Sequence, residues 1–190
     1  MRRTLLAVAT LGAAVSLPAQ REAVLKQIEV PHPYYFREMY LPQLTTGPSG
    51  AAWMPDGLAL VYSMRGSLWR QTLGTTVATQ LTAASGYDYQ PDVSPDGKWV
   101  IYRTSSTEAG RGDILAQRMG DSVSIPLLVS PADERHPSLS PDGKWLAYRS
   151  DESGKQQVYV RPFPNVNDGK WAVSSEGGSD PVWSHSGREL

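Results

Sequence analysis

The sequence predicts an all-β fold, a partial β-propeller built of four-stranded antiparallel blades, and three observations predict it. The hexapeptide SPDGKW occurs at Ser94–Trp99 and again at Ser140–Trp145, inside a repeat whose period is that of a propeller blade. Each copy is followed by short runs rich in β-branched and aromatic residues, separated by turn signals. Glycine (17) and proline (15) punctuate all 190 residues, with six tryptophans and nine tyrosines between them, a composition that points away from helix.

The repeat extends beyond the hexapeptide. PDVSPDGKWVIY (Pro91–Tyr102) and PSLSPDGKWLAY (Pro137–Tyr148) share a layout with AAWMPDGLALVY (Ala51–Tyr62), and PVWSHSGREL (Pro181–Leu190) begins a fourth copy. Pro55, Pro95 and Pro141 stand 40 and 46 positions apart, and His185 takes the same place 44 further on. Trp53, Val93, Leu139 and Trp183 align two residues before that position. Tyr62, Tyr102 and Tyr148 align six residues after Asp56, Asp96 and Asp142.

The shared phrase specifies a turn. Proline presets φ at the second turn position, aspartate bonds nearby backbone N–H groups, and glycine takes the positive φ that ends the turn. Asp56, Gly57, Asp96, Gly97, Asp142 and Gly143 are therefore structural turn residues, one Asp-Gly pair per blade. The turn joins a first strand (PDVS in the second repeat) to a second (Lys98–Thr104). Third strands fit Ser67–Leu73, Asp113–Met119 and Gln157–Phe163, and fourth strands fit Thr76–Thr82, Ser124–Ser130 and Lys170–Ser175. Blades are expected at 48–82, 87–130 and 134–175, with the start of a fourth at 180–190.

The N-terminus reads differently. Arg2 and Arg3 precede the charge-free run TLLAVATLGAAVSL and a small-residue exit, the pattern of a secretory signal peptide over 1–19. A retained membrane anchor is the alternative, although the run is shorter than the roughly 20 apolar residues that span a bilayer. Residues 20–47 form an arm in which Met39–Gly50 resembles Thr76–Gly86, including QLT at both sites. That likeness suggests an outer strand for a neighbouring blade; an ordered arm is the other reading. Because the fourth repeat has barely begun at Leu190, the expectation is the N-terminal part of a longer chain.

Losing Arg2 and Arg3 with the leader leaves 16 basic against 19 acidic residues, a net charge of −3. That balance offers no general field for nucleic acid, and membrane contact is expected only through the signal peptide. The absence of cysteine excludes disulfide staples and thiol or thiolate chemistry. No Gly-x-Ser-x-Gly elbow, phosphate loop or His-Glu-x-x-His string occurs. The three histidines, His32, His136 and His185, are solitary, so the sequence predicts no catalytic residue, no metal and no cofactor, short of ligands converging from different blades on the channel.

Binding is expected on the loops that join one blade to the next. These include Gly86–Gln90, with Tyr87 and Tyr89 flanking Asp88, then Asp133–His136, with Arg135 and His136, and Gly177–Asp180. Aromatic residues often anchor interfaces, though Tyr87 and Tyr89 packing between blades is an equal reading. The pairs Asp133–Glu134 and Asp151–Glu152 are expected to be solvated.

In the xxSPDGKxxxY hairpin, from about Met39 to Leu190, the chain resembles the TolB-like propeller family, also described as WD40-like PD repeats. The resemblance implies a propeller of the six-bladed type when complete, a periplasmic or secreted bacterial protein, and a protein or envelope partner. The family's namesake carries a separate N-terminal α/β domain, for which residues 20–38 leave no room between the leader and the first β-like segment. MYLPQLTTGPSGAAWMPDG resembles the start of exported proteins whose propeller precedes an amidohydrolase domain. YVRPFPNVNDGKWAVSSEGGSDPVWSHSGREL resembles propellers that follow bacterial Ser/Thr kinases. Two functions follow: a non-catalytic binding module of the cell envelope, or an accessory propeller of an amidohydrolase or peptidase whose catalytic domain lies beyond Leu190.

Overall fold

The structure is a computed structural model that describes residues 48–83, 86–105 and 111–190; the expected signal peptide and arm lie outside these residues. The described residues form three four-stranded antiparallel sheets, each ordered as in the chain. The first contains β1 (Ser49–Trp53), β2 (Ala59–Met64), β3 (Ser67–Thr72) and β4 (Ala78–Gln80). The second contains β5 (Tyr87–Val93), β6 (Trp99–Ser105), β7 (Asp113–Arg118) and β8 (Ser124–Leu128). The third contains β9 (Arg135–Leu139), β10 (Trp145–Ser150), β11 (Gln157–Pro162) and β12 (Trp171–Ala172). Strand β1 lies beside β5, and β5 beside β9, so the first strands of successive blades gather along one inner side.

Alternation along β6 explains how the blades stack. Val100 and Tyr102 turn back to the first blade, where they join Met54, Ala59, Val61 and Leu68. Ile101 turns forward and packs with Ile114, Ala116 and Leu128 against Leu139, Leu146, Tyr148 and Tyr159 of the third blade. Ile101, Val100 and Leu146 are fully buried, and burying each such side chain contributes about 1.5–3 kcal/mol. The sheets are thus held face to face by two apolar seams rather than by one central core.

The turn phrase does more than reverse the chain. Asp96 Oδ1 accepts hydrogen bonds from Ser94 Oγ (2.7 Å) and Lys98 N (3.1 Å), and Asp142 repeats both with Ser140 and Lys144 (2.6 and 3.1 Å). Gly57, Gly97 and Gly143 have φ of 69°, 69° and 70°, the left-handed region that glycine enters without penalty. Each turn proline also touches the next blade: a Cβ on Gly97 would lie 3.7 Å from Pro55 Cδ, and one on Gly143 3.5 Å from Pro95 Cδ. Proline and glycine of the phrase therefore link neighbouring blades.

Two segments are less strand-like than their counterparts in the first two blades. In the fourth repeat the turn closes, with Gly187 N donating to Ser184 O and Ser184 N to Glu189 O (both 2.9 Å), but residues 180–190 form no strand. Strand β12 shrinks from the expected Lys170–Ser175 to two residues. There Ser174 Oγ, not a backbone carbonyl, accepts from Val158 N (2.9 Å), and the Trp171 ring turns edge-on to Trp145 at 5.6 Å.

Candidate functional site

Each inner strand is interrupted at the same place. Gly50–Ala51, Gln90–Pro91 and His136–Pro137 each set two residues opposite one, a β-bulge, and the single residues opposite are the aligned Tyr62, Tyr102 and Tyr148. The first residue of each bulge is left-handed: Gly50 (φ 57°), Gln90 (52°) and His136 (50°). Asp180 (49°), before Pro181, takes the equivalent position in the fourth repeat. Glycine does this freely, but a side chain in that region costs on the order of 1–3 kcal/mol and gathers at functional positions.

These residues meet along one open groove of about 330 Å³, lined by Gly50, Gln90, Asp92, His136, Ser138 and Asp180 among others. Gln90 Oε1 accepts from His136 N (3.2 Å), and Asp92 Oδ2 accepts from Leu139 N (2.7 Å), so side chains of β5 hold the backbone of β9. His136 Nδ1 lies 2.6 Å from Asp180 Oδ1, a close contact without hydrogen-bond alignment. Burial pulls the His136 imidazole below its ordinary pKa; Asp180 opposes this, and the charges of Arg149, Arg135 and Arg103 add to it. His136 is therefore mainly neutral at pH 7, and Asp180, 65% exposed, carries the groove's accessible charge.

The other predicted site residues divide. Tyr87, Asp88 and Tyr89 belong to β5, not to a loop. Asp88 is 1% exposed, which corrects its expected place on a contact surface. Its backbone N–H donates to Gly66 O (3.0 Å) and its carbonyl accepts from Ser63 Oγ (2.7 Å), fixing it in the seam between the first two blades. Tyr89 offers its ring to Arg103, whose guanidinium carbon lies 4.7 Å from the ring centre. Tyr87 is half-buried beside Gly66. Arg135 is bound through Nε to Asp133 Oδ2.

The pair Asp133–Glu134 is likewise not solvated. Glu134 is 3% exposed, and Asp133 joins the buried Arg103 (2.6 Å) as well as Arg135. The cause is a register the sequence does not display: Asp88 and Glu134 both stand seven residues before the turn proline, where the strand enters the blade junction. Asp151 and Glu152 are exposed, as expected, and still make surface contacts: Asp151 accepts from Asp133 N (2.9 Å) and Glu152 holds Lys170 (2.8 Å). Gln90 ends the expected binding loop Gly86–Gln90 but was not singled out within it. The signal that reveals it is the alignment of Gln90-Pro91, His136-Pro137 and Asp180-Pro181 with Gly50-Ala51.

Among the described residues no three His, Cys, Asp or Glu side chains converge as a metal site. Asp96 and Asp142 spend Oδ1 on their own turns and lie at the other end of the inner strands from the blade-joining loops.

No family model matches the chain, and no curated protein matches it. Solved structures do. The chain is similar to a putative TolB from Agrobacterium tumefaciens, at 20% identity over 68% of this chain and 50% of that one, with a TM-score of 0.60. It is similar to TolB from Acinetobacter baumannii, at 23% identity over 69% of this chain and 33% of that one, with a TM-score of 0.55. A prolyl endopeptidase is similar at 17% identity over 67% of this chain and 21% of that one, with a TM-score of 0.52. The matched part is half or less of the length of each of these proteins. At these identities the likeness is one of fold: the three sheets are blades of a TolB-like β-propeller.

Proposed function

We propose that the chain is an exported, non-catalytic β-propeller module of the cell envelope that binds a protein or other ligand through the groove on its inner strands. The observation that carries this reading is the run of Gln90, His136 and Asp180, three side chains held in strained left-handed backbone at one register and opening on one groove. A fold that needed only to bend there would place glycine, as it does at Gly50. The second reading, an accessory propeller of a larger hydrolase, is favoured by the shared fold with a prolyl endopeptidase. In both, these residues bind and do not catalyse.

The test compares the wild-type chain with His136→Ala and Asp180→Ala as baits for envelope extract, each variant first matched to wild type by its thermal melt. Loss of the same captured protein in both variants supports the binding reading; equal capture by all three chains overturns it. Turnover of peptide, ester or amide substrates that one point change abolishes would overturn the non-catalytic assignment.

A further inference from the structure

The groove's hydrogen-bonding inventory is lopsided. Pro91, Pro137 and Pro181 follow the groove's three left-handed side chains, Gln90, His136 and Asp180, so each proline position keeps its carbonyl and has no N–H to offer. The N–H groups of His136 and Leu139 are already taken, by Gln90 and Asp92. Gln90 keeps its amide nitrogen as a donor. Against it stand the Asp180 carboxylate, one oxygen of which has no partner among the described residues, and the imidazole of His136.

The basic residues near the groove do not cancel this. Arg103 and Arg135 are both held by Asp133, and Arg103 is 2% exposed. Arg149, on β10, acts on His136, while the Asp180 carboxylate is 65% exposed to solvent. The prolines have a second consequence. They deny an incoming strand the N–H groups it would pair with along this edge, so a partner must enter by a side chain rather than by strand addition.

From this we infer that the groove accepts a cationic side chain, an ammonium or a guanidinium, presented by a protein partner, with Asp180 as its counter-charge and the His136 imidazole as a second acceptor. The inference rests on the binding function proposed above and names the chemistry of its ligand. It carries a pH signature. Protonating His136 sets an imidazolium against Asp180, removes the second acceptor and repels the incoming cation, so affinity falls on acidification. The charged groups acting on His136 in that titration are Asp180, which favours protonation, and Arg149, Arg135 and Arg103, which oppose it.

The probe is a capped Gly-Arg-Gly peptide, with its citrulline and glutamate counterparts as neutral and anionic controls. Binding is followed through the His136 ring and Gln90 side-chain amide resonances of the folded chain. The arginine peptide should shift both resonances, the controls neither, and Asp180→Asn should weaken the arginine peptide about tenfold, as loss of a charge-assisted hydrogen bond implies. Affinity should drop as the pH is taken below the ordinary imidazole value of about 6.5 in the wild type and not in His136→Gln. No arginine-specific shift up to about 10 mM peptide, near the weakest affinity worth calling recognition, overturns the inference, as does equal binding of the citrulline peptide. If that failure comes with capture of an envelope protein that still needs Asp180, the binding function stands and only its ligand chemistry falls. If capture ignores both residues, the function falls with it.

Discussion

Each inner strand visits left-handed backbone twice, once at its bulge and once at the hairpin turn that ends it, and the two places are built differently. Both recur at spacings of 40, 46 and 44 residues. At the turn the residue is glycine every time, Gly57, Gly97, Gly143 and Gly187, with φ between 68° and 70°. At the bulge the residues are Gly50, Gln90, His136 and Asp180, with φ between 49° and 57°. The backbone demand is the same, yet only the turn meets it in the least strained way. A turn needs a backbone shape; the bulge keeps side chains where glycine would be easier, because the side chains face the groove.

The largest effect expected from this comparison is at the turn. Gly143→Val places a β-branched residue at φ 70° and sets its Cβ against Pro95, so strain and a seam contact change together. It should destabilise the chain by about 2 kcal/mol or more, and Gly97→Val should match it. A denaturant titration in which both midpoints stay at the wild-type value would break the turn half of the comparison.

The bulge should respond with the opposite sign. His136→Gly relieves a left-handed side chain, whereas His136→Ala keeps the strain and loses the imidazole. The glycine variant should be the more stable of the two by about 1 kcal/mol, the usual penalty of a Cβ in that region. For a domain of this size that is a difference of roughly 2–4 °C in melting temperature. Both variants should bind the arginine peptide equally poorly, which separates strain from recognition.

Acidity distinguishes the two ends as well. Burial pushes the Asp88 carboxyl up; the Thr82 and Thr104 hydroxyls offset part of that, although neither oxygen makes a well-formed hydrogen bond. Glu134 is raised by the same cause, with Ser130 opposing it. A carboxyl with a raised folded pKa binds its proton more tightly folded than unfolded. Its contribution is present at low pH and lost as pH rises through the folded value. Asp96 and Asp142 are lowered, chiefly by hydrogen bonds from Ser94 and Ser140, so theirs is present above the unfolded carboxyl range and lost as pH falls. Asp88→Asn should therefore flatten the fall in stability as pH rises above about 4, and Asp142→Asn should flatten the fall below about pH 4. Identical stability profiles for wild type and Asp88→Asn would show that Asp88 does not titrate in the seam.

How much of this was legible in the sequence follows from the same contrast. The turns were fully legible, because Pro, Asp and Gly are chosen for what they do to their own backbone, within six letters. The strands of the first two blades followed from runs rich in β-branched and aromatic residues between turn signals, to within a few residues at their ends. Asp88 and Glu134 were misplaced because their environment is supplied by another blade: Gly66 and Ser63 around the one, Arg103 and Gly112 around the other. Gln90 was missed because nothing about glutamine announces a left-handed residue. Only the alignment with Gly50 carries that information, and the short reach of turn chemistry does not extend to it.

The smallest expected effect sharpens the bulge itself. Gln90 joins β5 to β9 through one 3.2 Å hydrogen bond from His136 N, at the weak end of the normal range, on a half-exposed edge. Gln90→Ala removes that acceptor and leaves a backbone N–H that water can reach, so it should cost no more than about 1 kcal/mol. Gln90→Gly removes the same bond and also the strain at φ 52°, and the two terms should nearly cancel. The informative readout is hydrogen exchange at His136 N–H, which should speed up in both variants while the Leu139 N–H, held by Asp92, stays protected. Faster exchange at both amides in the glycine variant alone would mean that the side chain, rather than its hydrogen bond, holds the bulge in register. The groove would then depend on Gln90 for its shape and not merely for its lining.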